Sequence, residues 1–193
     1  LAGNSNSAAS QFNWTYDSTS PSITISSSTV SSGSSSNDAT IAVAFTTSET
    51  TSNLTAEDVK IDGGSISSFN GSGQSYTATL TPNGDGIVYI DVEAGAFTDA
   101  SGNLNTAATQ FVWTYDGTGP SVVITSSEVS NSSVSDNTSL SLTFTLSETA
   151  TNFTVDDIAA TGGTISNFSG SGTSYTATFT PSGNGKKQIK VDS

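Results

Sequence analysis

The side chains able to do chemistry in this sequence are carboxylates. Asp and Glu number 17 against four basic residues, and there is no His and no Cys. Ser-His and Cys-His nucleophiles, and metal sites built on imidazole or thiolate, are excluded by composition. Some acids recur at a fixed offset of 99 residues: Asp17, Glu49, Glu57 and Asp58 return as Asp116, Glu148, Asp156 and Asp157. Others do not: Asp62, Asp85 and Asp91 stand where the second copy has Thr161, Asn184 and Lys190. The adjacent pairs Glu57–Asp58 and Asp156–Asp157 could in principle supply the acid and base of a glycosidase. A catalytic site duplicated in each copy of a lean scaffold is improbable, so no enzyme activity is expected.

The offset belongs to the whole chain. Residues 3–94 align on 102–193 without a gap, and about half the positions are identical. The period exceeds that of a solenoid repeat, roughly 20–50 residues, and suits an independent sandwich domain of about 100 residues. Apolar residues alternate in short runs: Ile23 and Ile25; Ile41, Val43 and Phe45; Val59 and Ile61; Val88, Ile90 and Val92; Phe111, Trp113 and Tyr115. Such runs are strands with one buried face. Ile66–Phe69, the turn Asn70–Gly73 and Tyr76–Leu80 read as a hairpin. Serine-rich turns separate the runs, and no segment shows a helical period. The expected fold is all-β: two tandem Ig-like β-sandwich domains. The boundaries read as residues 1–16 for a strand belonging to, or donated to, a neighbouring domain, 17–116 for repeat one and 117–193 for repeat two.

That topology gathers acids. The second strand ends at Glu49, the next begins near Asp58, and the Gly95–Asn103 loop carrying Asp99 returns to the end where Asp17 enters. Asp17, Glu49, Asp58 and Asp99, with Glu57 as an extra, are therefore expected at one pole of domain one; Asp116, Glu148, Asp157 and Asp156 are the set for domain two. Calcium takes six to eight oxygens, largely from carboxylates and carbonyls. The competing use of the same acids is capping of serine-rich turns.

Net charge is −13, and the only basic residues are Lys60, Lys186, Lys187 and Lys190. Nucleic-acid binding needs clustered basic residues and is not expected. No run of apolar residues is long enough to insert in a membrane. The sequence begins at Leu1 rather than Met, as in a mature product or a piece of a longer protein. An extracellular, cell-surface location is inferred from the polar β-repeat character.

The segments FTDASGN (Phe97–Asn103), NTAATQFVWTYD (Asn105–Asp116), the GTGP that follows, and the SET-plus-aspartate stretches resemble bacterial Ig-like repeats of large surface adhesins and biofilm proteins. The resemblance spans essentially the whole chain. It implies a secreted, non-enzymatic module, often a spacer between a cell anchor and a distal glycan- or protein-binding domain. In many relatives calcium stiffens the junctions. The alternative is a repeat that binds glycan or protein itself; the variable loops Ser31–Asp38 and Ser130–Asn137 carry no aromatic or Arg cluster to serve it.

QFNWTYD at residues 11–17 copies QFVWTYD at 110–116, the last strand of repeat one. Repeat two reaches only the counterpart of Ala94 within the sequence. Its open edge could accept Phe12, Trp14 and Tyr16 from a neighbouring copy, similar to strand donation in pili. An adjacent repeat on one covalent chain would satisfy the same edge. Either arrangement runs head to tail, as a stiff surface filament.

Overall fold

The computed structural model describes residues 2–192. The chain divides into two compact units, Leu1–Thr118 and Gly119–Ser193, so the division falls two residues past the boundary expected at Asp116. The regular structure is almost wholly strand, with one short 3-10 turn in each unit (Ala56–Asp58 and Val155–Asp157).

In the first unit β1 (Ile23–Ser27), β3 (Ile41–Thr51) and β5 (Gly64–Pro82) form one sheet in the order β1-β3-β5. β2 (Ser34–Ser36), β7 (Phe111–Tyr115), β6 (Gly86–Val92) and β4 (Val59–Asp62) form the other, in that order. Alternation decides which side chains meet between them: Ile41, Val43, Phe45 and Leu80 of one sheet share a core with Val88, Ile90, Val92, Phe111 and Trp113 of the other. Trp113 is completely buried, as expected of an aromatic stripe that fills space between sheets.

The expected hairpin is one continuous element, β5, folded back on itself. Phe69 stacks on Tyr76 with ring centroids 5.7 Å apart. Gly71 lies against the Ser75 carbonyl at φ +147°, where a Cβ would sit 2.5 Å from the Tyr76 Cα; only glycine fits there. The Tyr76 hydroxyl donates to the Thr51 carbonyl at 2.9 Å and ties the hairpin to the end of β3. The second unit repeats this bond, Tyr175 to Ala150, at 3.1 Å.

β2 has no apolar period, and the sequence reads it as a turn. It forms because β7 offers a partner: Ser34, Ser35 and Ser36 pair parallel with Trp113, Thr114 and Tyr115. The Trp113 indole Nε1 donates to Ser36 Oγ at 3.0 Å, which satisfies a polar atom that burial would otherwise leave unpaired.

The second unit holds β8 (Val122–Ser126), β9 (Leu140–Ala150), β10 (Ile158–Thr161), β11 (Gly163–Pro181) and β12 (Gln188–Val191). The sheets are β11-β9-β8 and β10-β12. Leu142, Phe144, Leu146, Tyr175 and Phe179 form its core, with Ile189 and Val191 only half-buried against it. Their counterparts Ile90 and Val92 are fully buried in the first unit. Residues 133–135, the counterpart of β2, form no strand.

Phe12–Tyr16, expected as a strand of a neighbouring domain, has no strand partner among the described residues. Residues 2–20 carry no regular element, and Phe12, Trp14 and Tyr16 are 88%, 71% and 74% exposed. A strand needs a ladder partner, and among the described residues none pairs with this segment.

Candidate metal centre

Three expected acids converge. One carboxylate oxygen from each of Asp17, Glu49 and Asp99 lies within 4.8 Å of the other two. Different elements deliver them. Asp17 belongs to the segment entering β1. Glu49 sits near the end of β3, where the ladder to β5 breaks between Thr46 and Thr51. The break is braced by Thr47 Oγ1, which donates to the Glu49 carbonyl at 2.7 Å, and by Gln74 Nε2, which donates to the Ser48 carbonyl at 2.8 Å. Asp99 sits in the loop after β6, whose Phe97 is buried in the core. An isolated bridge joins Asp99 to Thr51.

Each carboxylate has a different set of partners. Asp99 Oδ1 accepts the amides of Ser101 at 2.8 Å and Asn103 at 2.9 Å, and Oδ2 accepts Asn103 Nδ2 at 2.8 Å. Burial pushes the Asp99 carboxyl up, but these donors together outweigh it and hold it below its ordinary value. Asp17 accepts the Thr19 amide at 3.0 Å and the Ser101 hydroxyl at 3.0 Å. Among the described residues no donor reaches the Glu49 carboxylate. Burial, then the negative charges of Asp17 and Asp99, push its carboxyl above the ordinary value.

The donor set is all oxygen, three carboxylates close together with no ammonium among them, as a hard cation requires. Asp99 Oδ1 is filled by two amides, but Asp99 Oδ2 and both Asp17 oxygens accept one hydrogen bond each and keep a second lone pair for a metal. The residues therefore fit calcium.

The other expected ligands lie elsewhere. Asp58 is not in the group, which corrects the expected cluster of four. Its Oδ2 accepts the Thr55 amide at 2.8 Å and the Thr55 hydroxyl at 2.9 Å, closing the 3-10 turn before β4. Asp157 does the same for Thr154, at 2.7 and 3.2 Å. Glu57 is exposed and its carbonyl accepts Lys60 Nζ at 3.3 Å. Asp156 is exposed. Asp116 gives its amide to the Ser36 carbonyl at 3.1 Å. Glu148 is half-buried in the counterpart of the Glu49 position. No second group of three acids forms among the described residues. The counterpart of Asp99 would be position 198, outside the sequence.

A bracket around Asp99 was invisible to the acid comparison. Thr51 Oγ1 donates to the Thr98 carbonyl at 2.7 Å, and Asn53 Oδ1 accepts the Thr98 amide at 3.1 Å. Asn105 Oδ1 accepts the Phe97 amide at 2.9 Å, and its Nδ2 donates to the Glu93 carbonyl at 2.8 Å. The Asp-Ala-Ser-Gly-Asn spacing is the available signal, since Asp side chains bond amides two residues on.

The family model for a bacterial Ig-like domain matches residues 17–114 and again 116–193. The chain belongs to the bacterial Ig-like domain family. Both matches begin within two residues of the Tyr-Asp that closes each aromatic stripe, so the family unit starts at the cluster's first acid. Bacterial Ig-like domains are as a rule structural modules and usually surface-associated. No curated protein matches the chain. No helix among the described residues is long and apolar enough to cross a membrane.

Proposed function

We infer that this chain is a structural module of an extracellular adhesin or surface filament, stiffened by calcium where the connector enters the first sandwich. The carrying observation is Glu49, held without a donor between Asp17 and Asp99. Three carboxylates with no basic residue among them repel one another, and a divalent cation removes that cost. Asp17 belongs to the connector, and Glu49 and Asp99 to the sandwich, so one ion would clamp the connector to the domain it precedes. Clamped connectors turn a string of sandwiches into a stiff fibre. Successive units would join head to tail through a strand of the Phe-x-Trp-Thr-Tyr type. A distal glycan or protein ligand would belong to another part of such a fibre.

The test is thermal melting and small-angle scattering with calcium and with chelator. Calcium that binds only the folded state raises the melting temperature. Unchanged melting and unchanged scattering in chelator would remove calcium from the account.

A further inference from the structure

The first unit carries a second set of chemically able side chains, on the outer face of the sheet β2-β7-β6-β4. Val59, Val88, Ile90 and Val92 are buried in the core, so the alternate residues of β4 and β6 point outward. The strand registers set them in two rows. Lys60 faces Asp91, and Gln110 completes the row by donating its Nε2 to Asp91 Oδ2 at 2.6 Å. Two residues along, Asp62 faces Tyr89, and Tyr89 faces Val112. Strand rise and spacing put the rows about 7 Å apart and make each about 10 Å long. They border an open hollow of about 460 Å³, lined by Lys60, Ile61, Asp62, Tyr89, Asp91 and Gln110. Small-molecule sites run roughly 300–1,000 Å³.

The fold does not require these side chains. The second unit builds the same strand pair, β10 with β12, and carries Ala159, Thr161, Gln188 and Lys190 in the places of Lys60, Asp62, Tyr89 and Asp91. Nor do the side chains satisfy one another. Lys60 stands directly opposite Asp91, yet among the described residues no ion pair joins them. Lys60 Nζ donates instead to the Glu57 carbonyl at 3.3 Å. Among the described residues no hydrogen bond engages the Asp62 carboxylate, Asp91 Oδ1 or the Tyr89 hydroxyl.

We propose that this hollow binds an uncharged hexopyranose unit of a glycan. Such a site needs neither calcium nor the fibre reading, and it adds a contact on the module itself to whatever a distal domain binds. Sugar hydroxyls both donate and accept, and the rows offer both partners. The Lys60 ammonium and the Gln110 amide donate; the Asp91 and Asp62 carboxylates accept. Tyr89 supplies a ring whose negative face attracts the C–H bonds of a pyranose. Charge decides among ligands. An anion would meet two carboxylates on a chain of net charge −13. A metal ion would meet the Lys60 ammonium, and a cationic ligand would leave Lys60 and Gln110 without an acceptor. An uncharged polyol meets none of these costs.

The test is titration of the isotope-labelled chain with the methyl glycosides of glucose, galactose, mannose and N-acetylglucosamine, read by amide chemical shifts. At least one of them should move the Gln110 side-chain amide and the backbone amides of β4 and β6, with a dissociation constant in the millimolar range. Tyr89→Gln, and separately Lys60→Ala with Asp91→Lys, install the residues that the second unit already carries on the same strands. Each should weaken binding at least about tenfold while moving the melting temperature by less than about 4 °C. Chelator should leave the affinity unchanged, because Asp17, Glu49 and Asp99 lie outside the hollow. No shift with any of the four glycosides overturns the proposal, as does binding that survives both sets of substitutions. Tighter binding of sialyllactose or of glucosamine than of every neutral glycoside overturns the uncharged ligand. Binding abolished by chelator would put the sugar on a metal and overturn this site.

Discussion

Replacing Glu49 by Gln separates charge repulsion from calcium binding, because it moves the two in opposite directions. The Glu49 carboxyl is pushed up in the folded state, by burial first and by Asp17 and Asp99 next. A raised folded value means that protonation favours folding. That contribution is fully present below the ordinary value of 4.5 and is lost as pH rises through the folded value. At neutral pH and without metal, Glu49→Gln should therefore melt higher than wild type. The gain should be about 1–4 °C, because partly exposed charges are screened. With calcium the order reverses. Ligand at a hundredfold its Kd raises the melting temperature of a domain this size on the order of 10–20 °C. Losing one of three carboxylates should weaken binding about tenfold or more, since site charge sets calcium affinity, and cut that shift by about half. The assay is differential scanning calorimetry of both proteins in chelator and across a calcium series. A variant that melts below wild type in chelator would show that Glu49 is a structural acid and refute the repulsion argument. An undiminished calcium shift would remove Glu49 from the site.

Glu128 in the second unit has the opposite sign. The Ser126 hydroxyl and the Ser141 amide hold its carboxyl at about 2, from 4.5, against opposition from burial. Its contribution is present above 4.5 and is lost as pH falls towards 2; melting curves of wild type and Glu128→Gln should converge over that window. Trp113→Ala removes a fully buried indole and the donor to Ser36. It should cost the first unit about 3–5 kcal/mol in denaturant melts, and β2 should lose amide protection first. Gly71→Ala should destabilise the first unit by more than about 1 kcal/mol, since an alanine Cβ would meet the Ser75 carbonyl. Gly73→Ala, at φ +67° with open space around it, should cost less.

Strand positions were legible because alternation and burial are one physical fact. Ile41, Val43 and Phe45 face the core as their spacing requires. The convergence of Asp17, Glu49 and Asp99 was legible from topology, since three connectors return to one pole. Asp58 misled for a local reason. Thr55-Ala-Glu-Asp58 is a capping box, whose Asp closes on Thr55 rather than reaching for neighbours. That spacing was available in the sequence and competed with the repeat signal. β2 could not be read, because Ser34–Ser36 has no apolar pattern and owes its order to the indole of a residue nearly eighty positions away. The bracket of Thr47, Gln74 and Thr51 was also hidden, because the second copy has Leu146, Thr173 and Ala150 there. Comparison within one chain keeps what both copies need and discards what positions the cluster in one.

Asp17 stands where the carboxylate cluster meets the aromatic segment. Its carboxylate faces Glu49 and Asp99, its carbonyl accepts Asn103 Nδ2 at 3.4 Å, and Tyr16 precedes it. Asp116 holds the same place after β7, and its amide is used by the sandwich that β7 completes. The residue that closes the stripe thus offers its amide to the sandwich before it, as Asp116 does, and its carboxylate to the cluster after it, as Asp17 does. Asp17→Asn should therefore cut the calcium-dependent rise in melting temperature by about half, as loss of one of three carboxylates does at Glu49. Calorimetry in chelator and in calcium reads it. An undiminished rise would show that the connector takes no part in the site.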